Sequence, residues 1–341
     1  MTRDEPGGAD AAGAAAGGGD AVETDPVNDA TLALLVEVAG TPKPGNVDRR
    51  RDLDDLRFET FLGGAVGARP GLELAAETGS TAGEPPGVGV AFERAVAGMA
   101  DRAGTNTQFG CLLLLVPLVR AAADPDGELS PDGVDAVCRS TTVDDAVAFY
   151  RAFEAVDVAV DDPPAGADDL DVRRGSDAEP ALRDHGTTLR DVLALSADPA
   201  DPDRVPDRNA AEWTEGFPRT FRAAEWILTD SGPLTDRAAR AFLGLLAAEP
   251  DTLVASTRGA ETAREASGRA RAMLEPSGGD PAGPVGDVSA VDADAVHGAD
   301  LDAAESLAEA FVAEGINPGT TADLTCAALF VALRRGAEVV P

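Results

Sequence analysis

Hydrophobic residues recur along this chain at helical spacing, from about residue 29 to the C-terminal segment. Apolar positions three and four residues apart form one face of an α-helix, whereas a half-buried strand alternates apolar and polar residues. The chain contains no convincing alternating run and no strand-turn-strand signal. The pattern therefore predicts an all-α protein, a single compact multi-helix domain over residues 26–341 behind a disordered, acidic and Gly/Ala-rich tail at residues 1–25.

The first predicted helix runs from Asp29 to Ala39 behind Asn28 as its cap, with one apolar stripe made of Leu32, Leu35, Val36 and Ala39. Further helices are expected near 57–67, 91–103, 107–123, 132–139, 143–156, 187–196, 209–229, 235–248, 252–274, 301–314 and 319–335. Thr142 and Asp145 resemble a capping box at the start of one of them. Polar loops rich in Asp, Pro and Gly are predicted at 157–181, 197–207 and 275–286.

The composition adds a strongly acidic surface to this picture. The chain has 61 Asp and Glu residues against 28 Lys and Arg, a formal net charge of -33, and the acidic excess is spread along its whole length. This pattern is typical of the solvated surface of a halophile's protein, and it disfavours binding to nucleic acid or to an anionic membrane. Most single carboxylates are therefore expected to be surface charges.

Cysteine usage and the absence of targeting signals favour a cytoplasmic protein. Cys111, Cys138 and Cys326 lie in or beside apolar runs without metal-ligand spacing, which predicts core thiols. Residues 1–24 lack the basic start and apolar stretch of a signal peptide. The most apolar run, Cys111–Val119, is far shorter than the roughly 20 residues that a membrane helix needs, so it predicts a buried helix.

Familiar catalytic motifs are missing from the sequence. It has no Walker loop and no GxGxxG between a strand and a helix, and its two histidines, His185 and His297, have no partner at metal-ligand spacing. One residue is unusual for its rarity: Lys43 is the only lysine in a chain that uses arginine for every other strong positive charge. A compact ammonium contacting a phosphate is one physical reason to keep a lysine there.

Three stretches combine tight-turn residues with polar side chains beside apolar helices. They are Lys43–Asp48 (KPGNVD) with the following Asp52–Phe58, then Ala103–Gly110 (AGTNTQFG), then Asn317–Leu324 (NPGTTADL). The second and third place Gly, Thr and Asn at predicted helix N-termini, where free backbone N–H groups attract phosphate and where plain N-capping is the simpler explanation.

These stretches, in this order, resemble the motifs of the triphosphoribosyl-dephospho-CoA synthases. KPGNVDR is similar to their KPG-x-V-D, GTNTQFG to their G-V-N-T-H-K-G, and PGTTADL to their G-G-x-A-D-L. Asp251-Thr252 and Arg258-Gly259 resemble their D-T and R-G pairs. The resemblance spans about residues 28–335 and, with the acidic composition, points to a divergent, haloarchaeal branch of that family.

The resemblance implies an all-helical transferase that binds ATP, with Mg²⁺ expected to accompany the nucleotide. Family members transfer the triphosphoribosyl group of ATP to the ribose 2'-hydroxyl of 3'-dephospho-CoA and release adenine. Their product is the precursor of the prosthetic group on the acyl carrier subunit of citrate lyase and malonate decarboxylase. No partner among nucleic acids or membranes is implied.

Matching the motifs residue by residue implies the following roles. Substrate and phosphate contacts would be made by Lys43, Gly45, Asn106, Thr107, Arg258, Gly319 and Thr320. The catalytic base would come from Asp48, Asp55 and Asp323, and Mg²⁺ would be bound by Asp48 and Asp55. Asp52 competes with Asp55 for the acidic position after the first motif, and the division of roles among the carboxylates stays open.

One departure from the family pattern keeps other functions open. Gln108 and Phe109 stand where the family has His-Lys, which removes a titratable group and a cation beside the expected phosphate site. A second hypothesis is therefore the same scaffold using ATP with a different acceptor in cofactor biosynthesis. A third is a non-catalytic helical protein that binds a nucleotide.

Overall fold

The computed structural model describes residues 25–78, 84–125, 129–164, 166–197, 204–274 and 287–339. The predicted tail, except Asp25, and the predicted loop at 275–286 lie outside these residues. The described chain forms sixteen α-helices and three short 3₁₀ helices, and within it β structure is limited to two isolated bridges between residues 48 and 56. The predicted all-α class is confirmed.

The helices follow one another in this order: α1 Pro26–Ala39, α2 Phe58–Ala76, α3 Val88–Ala103, α4 Phe109–Ala123, α5 Pro131–Arg139, α6 Val143–Ala152, α7 Glu179–His185, α8 Leu189–Ala197, α9 Arg208–Glu215, α10 Pro218–Thr229, α11 Leu234–Ala248, α12 Thr252–Arg258, α13 Ala260–Leu274, α14 Ala293–His297, α15 Leu301–Glu314 and α16 Gly319–Arg334.

Helices α4 and α16 form the centre of the molecule. Almost every side chain of α4 from Phe109 to Ala121, and of α16 from Thr320 to Leu333, is buried. A helix that is apolar on all sides must be surrounded by other helices, and α1, α2 and α3 pack around α4. The predicted buried helix at Cys111–Val119 is confirmed, and α4 continues through Pro117. Across the described residues, every helix is too short or too polar to span a bilayer.

The first helix differs from the prediction in its start and in its buried face. It begins at Pro26, and the side chain of Asp25, rather than Asn28, caps it by accepting the N–H of Val27. The predicted stripe is confirmed only at Val36, because the other buried apolar positions of α1 are Val27, Ala30, Ala33, Leu34 and Val38. Leu32 and Leu35 pack against the core only in part.

Two predicted long helices are each broken in two. The expected helix at 209–229 ends at Glu215, because Gly216 and Phe217 both adopt left-handed backbone with φ of 82° and 62°. The expected helix at 252–274 breaks at Gly259, whose φ is 93°. Conversely, α2 passes through Pro70 and continues nine residues beyond the predicted end, from 67 to 76.

The remaining boundaries agree with prediction more closely. The capping box of Thr142 and Asp145 is confirmed, although α6 ends at Ala152 rather than at residue 156. The predicted loop at 157–181 contains two of the 3₁₀ helices and the first residues of α7. All three cysteines are buried and free, as core thiols should be.

Candidate functional site

The three sequence motifs meet at the N-terminal ends of α4 and α16. Gly45 has φ of 74°, and a Cβ there would lie 1.9 Å from the carbonyl oxygen of Ile316. Only glycine therefore fits where the first motif packs against the residue that precedes the third. Next to it, Asn46 donates from Nδ2 to Oδ1 of Asn317 at 2.9 Å. Residues far apart in the chain are thereby held as one unit.

The second motif joins this unit through its last glycine. A Cβ on Gly110 would lie 1.9 Å from Oδ2 of Asp323, so only glycine leaves room for that carboxylate beside α4. The close approach places Asp323, on the second turn of α16, against the first turn of α4.

A cavity of about 530 Å³ opens over this junction. Its size lies within the range of small-molecule sites, about 300–1,000 Å³. The floor is polar and includes Glu37, Asn46, Thr107, Asn209, Asn317 and Asp323. One wall is apolar and includes Phe109, Phe149, Phe153, Val158, Leu170 and Leu193. Its aromatic rings pack edge to face, with the centroids of Phe109 and Phe153 4.9 Å apart.

The hydrogen-bond donors to Asp323 are neutral groups, and the carboxylates of Glu37 and Asp251 also act on it. Asn209 donates from Nδ2 to its Oδ2 at 2.9 Å, and the Cys111 thiol donates to its Oδ1 at 3.2 Å. Burial raises the pKa of Asp323 to about 7, although the hydrogen bonds from Asn209 and Cys111 partly oppose this shift. A carboxylate whose pKa lies near neutrality is suited to take up and release a proton.

Glu37 is the second carboxylate of the floor, and it has a cation. The side chains of Glu37 and Lys43 are each 1% exposed, and Nζ of Lys43 bonds to Oε1 of Glu37. Nζ also donates to Oδ1 of Asn46 at 3.0 Å. Burial raises the pKa of Glu37, and the ammonium of Lys43 works against this rise.

Several buried oxygens at or near the floor have no protein partner in the described structure. They are Oγ1 of Thr107, Oε1 of Gln108 and Oδ1 of Asn209. Buried polar atoms are normally hydrogen-bonded. Thr107 and Asn209 line the cavity through other atoms, whereas these oxygens are enclosed by protein; that of Thr107 faces Gly64 of α2.

The two helix N-termini expected to bind phosphate are already partly occupied by side chains. Oδ2 of Asp251 accepts both the N–H and the hydroxyl of Thr321 at 2.7 Å, which caps α16. At α4, Oδ1 of Asn106 accepts the N–H of Phe109 at 3.2 Å. These contacts favour plain capping at both ends.

The structure brings some of the predicted site residues to the cavity and leaves others outside it. Those that line the cavity are Asn106, Thr107, Gly319, Thr320 and Asp323. Those absent from its lining are Lys43, Gly45, Asp48, Asp55 and Arg258. The ammonium of Lys43, expected to contact phosphate, is instead used by Glu37 inside the protein.

The other charged residues that were predicted for the site but are absent from the cavity lining are Asp48, Asp55 and Arg258. Asp48 is fully buried in its own turn, Asp55 is exposed on the next turn, and Arg258 is exposed at the end of α12. Asp52, the alternative to Asp55, accepts the N–H of Phe58 at 2.9 Å and so marks the start of α2.

The residues expected to bind Mg²⁺ do not fit a metal site. Oδ2 of Asp48 accepts bonds from the Thr41 hydroxyl, the Lys43 N–H and the Arg51 guanidinium, and Oδ1 accepts the Arg50 N–H. Protein donors therefore occupy the oxygens that a cation would need. Searching the described chain finds no cluster of three or more His, Cys, Asp or Glu side chains suited to a metal.

Sequence reasoning missed Glu37, Asn209 and Cys111 as site residues. Glu37 carried a usable signal, because it is the one charged residue within the apolar run from Leu32 to Ala39 and lies six positions before the only lysine. Asn209 carried none, since nothing in its neighbourhood distinguishes it from an ordinary first-turn residue.

Comparisons with known proteins identify the family and support the fold. The sequence matches the family CitG, ATP:dephospho-CoA triphosphoribosyl transferase, over residues 24–339. No curated protein sequence matches the chain. The fold is similar to a crystal structure from Archaeoglobus fulgidus that is provisionally described as a triphosphoribosyl-dephospho-CoA synthase, with a TM-score of 0.57 and 23% identity over 81% of this chain and 100% of that one. At that identity the structural match supports the fold, and the family match covers nearly the whole chain. The chain therefore belongs to the ATP:dephospho-CoA triphosphoribosyl transferase family.

Proposed function

We propose that this protein transfers the triphosphoribosyl group of ATP to the ribose 2'-hydroxyl of 3'-dephospho-CoA, with release of adenine, on the floor of the cavity. The observation that carries the proposal is the junction of the three family motifs at one cavity beside Asp323. That carboxylate has a pKa of about 7 and is hydrogen-bonded to neutral donors, as a general base requires.

The reaction is an exchange of one bond at the anomeric carbon of the ATP ribose. The hydroxyl oxygen of the acceptor forms a bond to C1', and the bond from C1' to N9 of adenine breaks with its electron pair going to N9. Asp323 takes the hydroxyl proton, and N9 gains a proton from solvent, so adenine leaves neutral. The triphosphate is not cleaved.

The charges around the cavity suggest how the substrates lie. Among the described residues that line it, Arg204 is the one cation, and its side chain is 35% exposed, whereas the floor carries carboxylates and amides. We place the ribose and the hydroxyl beside Asp323 and the triphosphate, with its charge partly neutralised by Mg²⁺, toward Arg204, which also pairs with Asp161 at 2.8 Å. Mg²⁺ enters as part of the Mg-ATP substrate, held mainly by the phosphates as is usual for this ion.

A different acceptor is the second candidate, and Phe109 favours it. The family has a cation at this position, whereas here the Phe109 ring forms part of the apolar wall with Phe149 and Phe153. An aromatic wall favours a less charged acceptor group than a lysine does. The reaction at C1' and the role of Asp323 would be unchanged.

The cellular setting follows from composition. We propose that the protein works in the cytoplasm of a halophile, without a nucleic-acid partner. The three free thiols accord with a reducing compartment, and a net charge of -33 opposes binding to polyanions.

The test is adenine release from ATP by the purified protein in molar KCl with Mg²⁺, with and without 3'-dephospho-CoA. Mass analysis is expected to find a dephospho-CoA adduct carrying one triphosphoribosyl group for each adenine released. Adenine release that depends on another acceptor would support the second candidate. ATP binding by thermal shift without any adenine would contradict both and indicate a binding role.

A further inference from the structure

The only lysine of the chain lies behind the cavity floor, where its ammonium forms an ion pair with one carboxylate. Nζ of Lys43 bonds to Oε1 of Glu37 and to Oδ1 of Asn46, and both partners line the cavity. Oε2 of Glu37 receives no hydrogen bond from any donor in the described chain. The ion pair therefore fixes one oxygen of Glu37 from behind and leaves the other for the cavity.

The local fold reinforces this placement. Lys43 sits on a turn whose shape is set by Asp48, which accepts hydrogen bonds from four donors of residues 41–51. Asn46, the second acceptor of the ammonium, is itself held by its bond to Asn317. A buried ion pair is weak evidence for a stabilising role, because apolar replacements are often as stable. A buried ion pair that holds a single cavity-facing carboxylate calls for a functional reason.

The proposed reaction supplies that reason, and the inference rests on it. As the bond from C1' to N9 breaks, positive charge develops on C1' and the ring oxygen, and a fixed carboxylate nearby stabilises it. Asp323 takes up the hydroxyl proton during the same step, which neutralises it. A second carboxylate that keeps its negative charge is needed, and the ammonium of Lys43 favours the charged form of Glu37.

We propose that Glu37 is the catalytic carboxylate that faces the reacting ribose carbon and stabilises its developing positive charge, and that Lys43 is a positioning residue that holds Glu37 in place. Lysine suits this role because its compact ammonium fits a fully enclosed space, whereas a planar guanidinium needs more room and five hydrogen-bond acceptors.

The main experiment compares Glu37→Gln with the wild-type protein in adenine release and in ATP binding. We expect kcat to fall about 100- to 1,000-fold, the usual effect of removing one preorganised electrostatic contact. The affinity for ATP is expected to stay within about threefold, because the interaction is made in the transition state. The matched control is Glu212→Gln, a buried glutamate paired with Arg219 outside the cavity lining, whose folded protein should turn over normally.

A double variant separates catalysis from packing. Lys43→Met alone leaves Glu37 buried without its cation and is expected to reduce stability, whereas Glu37→Gln with Lys43→Met forms a neutral pair and should restore it. If the pair only supports the fold, the double variant recovers activity. Our proposal requires that it recover its melting temperature while kcat stays as low as in Glu37→Gln.

The outcomes distinguish this inference from the proposed function. Absence of adenine release by the wild-type protein would overturn both. Adenine release by the wild-type protein, together with full activity of Glu37→Gln or recovered activity of the double variant, would overturn the inference and leave the transferase function standing. Lys43→Arg is expected to lose activity although it keeps the charge, because the guanidinium displaces Glu37.

Discussion

Helix α9 contributes to two buried polar regions, and the carboxylates of the two regions have different partners. One region is the cavity floor, where Asp323 receives hydrogen bonds from Asn209 and Cys111. The other is a charge network that we call the α9 network, made of Arg208, Glu212, Arg219, Glu249 and Asp251.

In the α9 network the carboxylates have guanidinium partners. Arg219 lies 3.3 Å from Glu212 and 2.7 Å from Glu249, while Arg208 lies 3.4 Å from Glu249. Burial raises the pKa of Asp251, but Arg208 opposes that rise. Asp323 has no such cation, and its pKa rises to about 7. Burial also raises the pKa of Glu212, with Arg219 opposing the rise. The two regions therefore differ in the partners of their carboxylates, because guanidinium groups hold those of the network in place, whereas Asp323 lies between neutral donors at the cavity.

The largest expected effect comes from neutralising Asp323. Asp323→Asn keeps the size of the side chain but removes the base, so adenine release should fall about 100- to 10,000-fold. The same variant should melt at a higher temperature than the wild-type protein at pH 8. A raised carboxylate pKa contributes stability below about pH 4 that is lost as the pH rises through 7, and Asn escapes this loss.

Asp302→Asn is the matched control, because Asp302 is an exposed carboxylate on α15. Its adenine release and melting temperature should equal those of the wild-type protein. Unchanged activity in Asp323→Asn would assign the base to another group, and the cavity floor and the α9 network would then not differ in catalytic role.

Removing a charge from the α9 network should change the free energy of unfolding much more than the rate of adenine release. Arg219→Met leaves Glu212 and Glu249 without their shared cation, which should lower the free energy of unfolding by about 3–5 kcal/mol in denaturant melts. Adenine release per folded molecule should change little at low temperature. A loss of turnover as large as that of Asp323→Asn, in folded protein, would show that both regions act in catalysis.

Replacing Gly110 tests whether the position of the Asp323 carboxylate matters. A Cβ there would lie 1.9 Å from Oδ2 of Asp323, so Gly110→Ala should lower stability by about 1–3 kcal/mol and reduce adenine release by displacing the carboxylate. Gly268→Ala is the matched control within α13, where an added Cβ meets no atom within 4 Å. It should raise stability by about 0.5–1 kcal/mol. Wild-type activity in Gly110→Ala would show that the close approach is not needed.

The sequence predicted the fold class well because helical periodicity is a local property. The predicted helix boundaries were wrong where a single residue sets them. Phe217 is an example, because this non-glycine residue has left-handed backbone and breaks the predicted helix at 209–229. The buried face of α1 was predicted only in part, because Val36 is buried whereas Leu32 and Leu35 are only partly buried. Its environment is apolar on several sides, so the most hydrophobic stripe does not identify the buried one.

The site was predictable as a set of motifs and not as a set of roles. The resemblance to the family motifs identified Asp323 and its neighbours, but burial and partners decide what each polar group does. Lys43 looks like a phosphate ligand until Glu37 is seen beside it, and Asp48 looks like a metal ligand until its four donors are seen. Those partners are set by the packing of α1 against the turn that follows it, which periodicity does not encode.

The smallest expected effect is that of Asn209→Ala, which changes the surroundings of Asp323 without removing its charge. It therefore tests the difference between the two regions most directly. In the wild-type protein, adenine release should increase with pH through about 7, since the base must be ionised to accept the hydroxyl proton. The hydrogen bond from Asn209 lowers the pKa of Asp323, so Asn209→Ala should raise it and move the acid limb of the profile to higher pH.

At pH 6.5, release by Asn209→Ala should fall about two- to tenfold relative to the wild-type protein, the worth of one hydrogen bond of about 0.5–1.5 kcal/mol. At pH 9 the two rates should converge, because Asp323 is then ionised in both proteins. A uniform loss at every pH would mean that Asn209, which lines the cavity, acts on the substrate instead.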